Sequence, residues 1–147
     1  MKFKNAVISS FAYYLPEQIM TTEAIEEKLA PLYQRLKLPA GRIELMTGIK
    51  ERRFWPPGTM PSDLSTQAAR NLFEKKIVQP EQIDLLIHAS VCRDFLEPST
   101  ASIVHHNLGL REQIMFFDLS NACLGMMSCF VVAANMIDNG LIKHALI

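Results

Sequence analysis

Asp118-Leu-Ser-Asn-Ala-Cys-Leu-Gly125 joins two apolar runs, Ile114 to Leu119, which reads as a short strand, and Ala122 to Asp138, which reads as a helix. A thiol placed where a strand turns into a helix faces the positive end of the helix dipole. That field favours thiolate over thiol and so activates a nucleophile. Taken alone, Cys123 is equally well read as a small buried hydrophobe, which is what most free cysteines are. Its surroundings decide between the two.

Working outward, strands and helices alternate. Asn5 to Tyr14 is apolar and aromatic and reads as a first strand, ended by Leu15-Pro16-Glu17. Thr21 or Thr22 is expected to cap a helix running from Glu23 to about Leu38, broken or kinked midway by Pro31. A short helical turn to Met46 follows Pro39-Ala-Gly41, and Thr47 to Trp55 is extended and basic. Ser62 or Asp63 opens an amphipathic helix with Leu64, Ala68, Ala69, Leu72, Phe73 and Ile77 on one face. Ile83 to Ser90 reads as a buried strand. Pro98 fits the first turn of the next helix, which turns Ala101, Val104 and Leu108 inward and ends at Gly109. The helix from Ala122 is apolar almost all round, which predicts burial on every side, and His144 to Ile147 begins a further strand. Continuous apolar strands separated by helices predict an α/β fold with a mainly parallel sheet covered on both faces.

Composition narrows the function. The chain has 147 residues, is 49% hydrophobic, and carries 15 basic against 15 acidic side chains, so it can bury one ordinary core. A formal charge of zero argues against a broad nucleic-acid footprint. The start, Met-Lys-Phe-Lys-Asn, leads straight into a strand-like run and lacks the pattern of a signal peptide. The most apolar segment, Ala122 to Ile137, is 16 residues long and too short to span a membrane. Cys92, Cys123 and Cys129 have no Cys-x-x-Cys spacing, so neither a disulfide framework nor a metal site is indicated, and a reduced, cytoplasmic protein is expected. The chain stops as a new buried strand starts, so it is expected to be the N-terminal portion of a longer protein.

Three stretches then act together. Asp118 to Gly125, preceded by Leu96-Glu-Pro-Ser-Thr-Ala101 and Thr47-Gly-Ile-Lys-Glu-Arg-Arg53, resembles the N-terminal half of the ketoacyl-ACP synthase III group of the thiolase superfamily. The resemblance covers the whole chain. Ser90 to Val104 is most similar to the head-to-head acyl-CoA condensing enzymes of long-chain olefin biosynthesis. The resemblance implies a thiolase-like fold with a mainly parallel mixed sheet and a buried nucleophile helix. It also implies that residues 1–147 form an N-terminal thiolase-like domain, incomplete at its C-terminal end, with the C-terminal half absent.

For the site, the resemblance implies that Cys123 attacks an acyl thioester, releasing coenzyme A and holding the acyl group, with its backbone N–H available to an oxyanion hole. Gly125 would let the chain pack closely near substrate, or only relieve crowding in the helix. Glu97 stands where ordinary synthase III proteins carry an aromatic side chain that reaches across a dimer. In the olefin-type branch a glutamate there is thought to be the base for the second acyl chain; a plainer role is to complement the dipole of the following helix. Lys50, Arg52 and Arg53 would hold coenzyme A phosphates or an acidic carrier protein, against the plainer reading of a solvated loop. The tryptophan and arginine that sandwich adenine in the family are replaced by Arg42 and Met46, which leaves Trp55 as the aromatic candidate for that contact. His88, His105, His106 and His144 show no spacing for a metal or for pairing with Cys123. The family draws its active-site histidine and asparagine from the C-terminal half.

The expectation is a cytoplasmic, homodimeric acyltransferase that joins two fatty acyl-CoAs by Claisen condensation. It would use no cofactor and no metal; coenzyme A thioesters enter as substrates, and acyl carrier protein is a possible partner. One alternative is the acyl-CoA plus malonyl-ACP reaction of fatty-acid initiation. A second is a non-catalytic half-module that needs a partner chain.

Overall fold

The computed structural model describes residues 2–147, and the chain divides into two compact units. The smaller, Leu15–Gly58, contains strand β1 (Gln18–Thr21), helices α1 (Thr22–Lys28), α2 (Ala30–Leu36) and α3 (Arg42–Thr47), and strand β2 (Glu51–Phe54). Thr21 caps α1, its hydroxyl accepting the Ala24 N–H at 3.1 Å. The helix breaks at Leu29 because Pro31, in the first turn of α2, has no N–H to continue the ladder. β1 and β2 pair antiparallel from Gln18↔Phe54 to Thr21↔Glu51. Glu26 ties the unit together, its carboxylate accepting from the Ile43 and Gly41 N–H groups and the Tyr33 hydroxyl. The Ile43 bond, opposed by burial and aided by the other two donors, holds the Glu26 carboxyl below its ordinary range.

The larger unit joins the residues up to Tyr14 to Thr59–Ile147. Its elements are α4 (Pro61–Phe73), β3 (Leu85–Ala89), α5 (Thr100–Leu108), β4 (Met115–Leu119), α6 (Gly125–Asp138) and β5 (Ala145–Leu146). The sheet runs β4-β3-β5 and is wholly parallel, with Leu85 opposite both Met115 and Ala145. β3 is central and buried on both faces, which explains its continuous apolar run. Leu86 packs with Ala69 of α4, Val104 of α5, Ile83 and Ile114. Leu85 and Ile87 point the other way, onto Cys129 and Ala133 of α6. Burying each of those two side chains contributes roughly 2 kcal/mol. Asp84 aligns the strands: its carboxylate accepts the Lys143 and His144 N–H groups at 2.8 and 3.1 Å and pairs with Arg111 at 2.8 Å. Burial would raise the Asp84 pKa, but these donors together hold it below the ordinary value.

Several expectations are corrected. Residues 5–14 form no strand; the first strand is β1. Side chains take some of the segment's backbone groups instead: the Asp138 carboxylate accepts the Asn5 N–H, as it does that of the preceding Lys4, and Asn71 Nδ2 donates to the Tyr13 carbonyl. Val7 and Phe11 remain 81% and 75% exposed. α4 begins at Pro61, before Ser62 and Asp63, because Pro61 is suited to a first helical turn and the Asp63 carboxylate accepts the Met60 N–H at 3.1 Å. Ile77 lies beyond the end of that helix and is exposed. Pro98 precedes the Ser99 cap of α5 and lies outside its first turn. α6 starts at Gly125, since Ala122 takes a left-handed φ of 43° that a helix does not admit. Nor is α6 buried on every side: Gly125, Cys129 and Ala133 face the sheet, whereas Met126, Met127 and Val131 are exposed.

Candidate active site

Cys123 sits in the turn between β4 and α6, one residue before the Leu124 cap, and is exposed. The turn is built from successive short bonds: Leu124 N–H to the Asn121 carbonyl at 2.9 Å and Gly125 N–H to the Ala122 carbonyl at 3.1 Å. Asn121 Nδ2 also donates to Ser128 Oγ at 3.0 Å, fastening the turn to the first turn of α6. Ala122 holds a left-handed conformation without being glycine, a strain of about 1–2 kcal/mol. Strain of this kind at a cysteine-bearing turn is the pattern of a functional site, where packing holds an unfavourable backbone to aim a side chain. Gly125 is not needed to relieve close crowding, because an added Cβ would meet the Leu119 carbonyl at an ordinary 3.8 Å.

The other two cysteines differ from it. Cys92 is exposed in the loop after β3, where its N–H donates to Ser90 Oγ. Cys129 is fully buried under the sheet, and burial pushes its thiol up.

Glu97 lies exposed in the loop between β3 and α5. Among the described residues its carboxylate has no hydrogen-bond or ionic partner. The loop itself is anchored. The Asp94 N–H donates to Thr100 Oγ1 at 3.2 Å, and the Asp94 carboxylate accepts the Ser62 N–H at 2.9 Å. Asp118, five residues before Cys123, accepts the Thr100 and Ala101 N–H groups at 2.9 and 2.7 Å. His88, opposite Asp118 in the ladder, brings Nδ1 to 3.9 Å from that carboxylate, and both side chains are nearly buried.

Sequence reading passed over Asp118 and His88 as participants. The signal was present: each is the polar intruder in an otherwise apolar strand, Met-Phe-Phe-Asp-Leu and Leu-Leu-Ile-His-Ala. Burial lowers the His88 pKa below the usual 6.5; Asp118 and Asp94 pull it up and Arg93 pushes it down further. The unfolded chain therefore binds the His88 proton at higher pH than the folded one. The stability from this group is full above pH 6.5 and is lost as pH falls through the folded-state value. His88→Gln should flatten the decline in denaturant-measured stability between pH 7.5 and 5; an unchanged slope would contradict this account.

In the smaller unit, Arg52 is half-buried and donates to Thr22 Oγ1 at 3.2 Å, while exposed Arg53 donates to the Pro16 carbonyl at 2.9 Å. Each guanidinium keeps further donors. Trp55 follows β2 and is half-buried; Lys50, Arg42 and Met46 are exposed.

No protein-family model matches the chain. Over its full length it is 36% identical to the acyl-CoA:acyl-CoA alkyltransferase of Shewanella oneidensis, spanning 42% of that protein. Its fold matches a crystal structure of Xanthomonas campestris OleA with TM-score 0.91 and 40% identity, over 97% of this chain and 41% of that one. The chain is homologous to the ketoacyl-ACP synthase III group of the thiolase superfamily. The match to the 3-oxoacyl-(acyl carrier protein) synthase III of Xanthomonas oryzae pv. oryzae has the same TM-score, 0.91, at 39% identity, covering 99% of this chain and 43% of that one. The chain thus spans less than half the length of these relatives and carries the N-terminal half of the thiolase-like fold. As in the sequence reading, the synthase III resemblance is borne out, olefin-type branch included. No helix among the described residues is long and apolar enough to cross a membrane.

Proposed function

We propose that this chain is the nucleophile-bearing half of an acyltransferase that joins two fatty acyl-CoAs by head-to-head Claisen condensation. The observation that carries the reading is Cys123, exposed on a strained strand-to-helix turn in a chain that matches acyl-CoA:acyl-CoA alkyltransferases along its whole length. The Cys123 sulfur attacks the first thioester carbonyl; a C–S bond forms and coenzyme A leaves as its thiol. Glu97 then takes a proton from the α-carbon of the second acyl-CoA. The resulting carbanion attacks the acyl-cysteine carbonyl, a C–C bond forms, and the Cys123 sulfur departs, leaving a β-ketoacyl-CoA. Arg52 and Arg53 supply free donors for coenzyme A phosphates, and Trp55 supplies a ring for the adenine. The histidine and asparagine that complete the family's site are assigned to residues outside this chain.

A second reading, condensation of acyl-CoA with malonyl-ACP and loss of carbon dioxide, is favoured by the equally high structural match to the Xanthomonas oryzae synthase III. Supplying the full-length protein with each substrate pair and identifying products by mass separates the two. A β-ketoacyl-CoA from two acyl-CoAs is the expected product, and a β-ketoacyl-ACP formed only with malonyl-ACP would overturn the preferred reading. A cytoplasmic homodimer belongs to the same proposal. It is supported by three unbridged cysteines and by edge strand β4, which leaves Met115 and Phe116 exposed; sedimentation as a monomer would refute the dimer.

A further inference from the structure

We propose that Asn121 and Ser128 are positioning residues: the bond between their side chains holds Ala122 left-handed and so fixes the direction in which Cys123 presents its sulfur. The proposal rests on the reading of Cys123 as nucleophile.

Ser120 to Leu124 join β4 to α6, and both of those elements are fixed. β4 pairs with β3 as far as Leu119↔Ala89, and Cys129, 0% exposed, seats α6 against Leu85 and Ile87. Between these anchors, the bond from the Leu124 N–H to the Asn121 carbonyl closes a turn with Ala122 and Cys123 inside it. The backbone angles of those two residues set where the thiol points. One of them is unfavourable: Ala122 has φ 43°, which crowds its Cβ, so the turn relaxes toward negative φ unless something opposes it. Such a relaxation rotates Cys123 with it.

The opposing force comes from a closed ring of three bonds. The Leu124 N–H donates to the Asn121 carbonyl at 2.9 Å, and the Ser128 N–H to the Leu124 carbonyl at 2.9 Å. Asn121 Nδ2 then donates to Ser128 Oγ at 3.0 Å and completes the ring around Ala122 and Cys123. This last bond is not a helix cap. An asparagine before a helix ordinarily accepts an N–H of the first turn, but Asn121 donates to a hydroxyl instead, and α6 has no side-chain cap among the described residues. Burial does not require the bond either, since Asn121 is exposed and Ser128 half-buried, within reach of water. Its consequence is geometric: it ties the first residue of the turn to a helix position next to buried Cys129.

Ser128→Ala in the full-length protein removes only the side-chain bond. Alanine suits a helix, so the variant should fold and melt close to the parent. Acylation of Cys123 at saturating fatty acyl-CoA, read as coenzyme A release in a single turnover, should slow about tenfold, because the reacting atom is misaimed. Iodoacetamide, which approaches an exposed sulfur from any side, should alkylate Cys123 as fast as in the parent. Ser128→Thr restores the hydroxyl and should recover acylation. Asn121→Ala should match Ser128→Ala, and the two together should cost no more than either alone, because they break one bond. In an Ala122→Gly background, Ser128→Ala should cost less than about threefold, since glycine holds a positive φ unaided. Parental acylation in Ser128→Ala, additive losses in the double variant, or an undiminished loss in the Ala122→Gly background would overturn the proposal. Equal slowing of acylation and alkylation would also overturn it, by showing a less reactive thiol rather than a misaimed one. A parental acyl adduct that maps away from Cys123 would instead sink the nucleophile reading on which the proposal rests.

Discussion

Cys123→Ala in the full-length protein is expected to abolish the acyl-enzyme and to lower turnover on the order of 10⁴-fold or more, as loss of a covalent nucleophile generally does. The size of the effect follows from the lack of a substitute. Cys129 is buried beneath β3, and burial holds its thiol in the protonated form, so it neither meets a substrate nor supplies the reactive species. Cys92 is exposed, but it belongs to the loop after β3 and has no strained turn or helix start behind it. The check is an intact-mass measurement after brief exposure to a fatty acyl-CoA: one acyl adduct in the parent and none in the variant. An adduct that persists in Cys123→Ala and maps to Cys92 would move the nucleophile elsewhere. The substitution should not unfold the protein, since Cys123 is exposed and its turn is held by backbone bonds and by Asn121.

What the sequence disclosed of this fold was local. Pro31 breaks the first helical run and Thr21 caps it because proline and threonine act on the backbone within a few residues of themselves. Gly109 ends α5 at φ 62° for the same reason. Residues 5–14 show the opposite case. Their apolar, aromatic pattern fits a strand, yet a strand exists only if another backbone lies alongside. Here no strand among the described residues lies alongside, and side chains of Asp138, Asn71 and Lys75 take the Asn5 N–H and the Tyr13 and Phe11 carbonyls. The composition of α6 likewise indicates that burial is favourable on every face, but not which faces this chain covers. The candidate site divides in the same way. Cys123 and Glu97 were legible because each lies in a contiguous motif. Asp118 and His88 meet only through parallel register across β3 and β4, a pairing set by the whole sheet. The strain at Ala122 has no sequence marker either, since alanine is ordinarily at home in a helix.

Glu97→Ala should separate the two halves of the reaction. A structural carboxylate would show its role in its contacts, as Glu26 does with three donors and Asp84 with Lys143, His144 and Arg111. Glu97 has none among the described residues, so its removal is expected to change stability by no more than about 0.5 kcal/mol. A general base contributes roughly 10²–10⁴-fold, and that factor should be lost from condensation alone. Acylation of Cys123 needs no proton taken from an α-carbon and should proceed at the parental rate. Glu97→Gln should behave like the alanine variant, because the amide keeps the shape and hydrogen bonding but cannot accept the proton. Glu97→Asp keeps the function on a stem one methylene shorter and should recover part of the rate. The measurement is a burst of coenzyme A release followed over time for β-ketoacyl-CoA. If Glu97 only complements the dipole of α5, Gln and Ala will lower thermal stability together and leave the ratio of condensation to acylation unchanged. That ratio distinguishes a base from a helix-end charge.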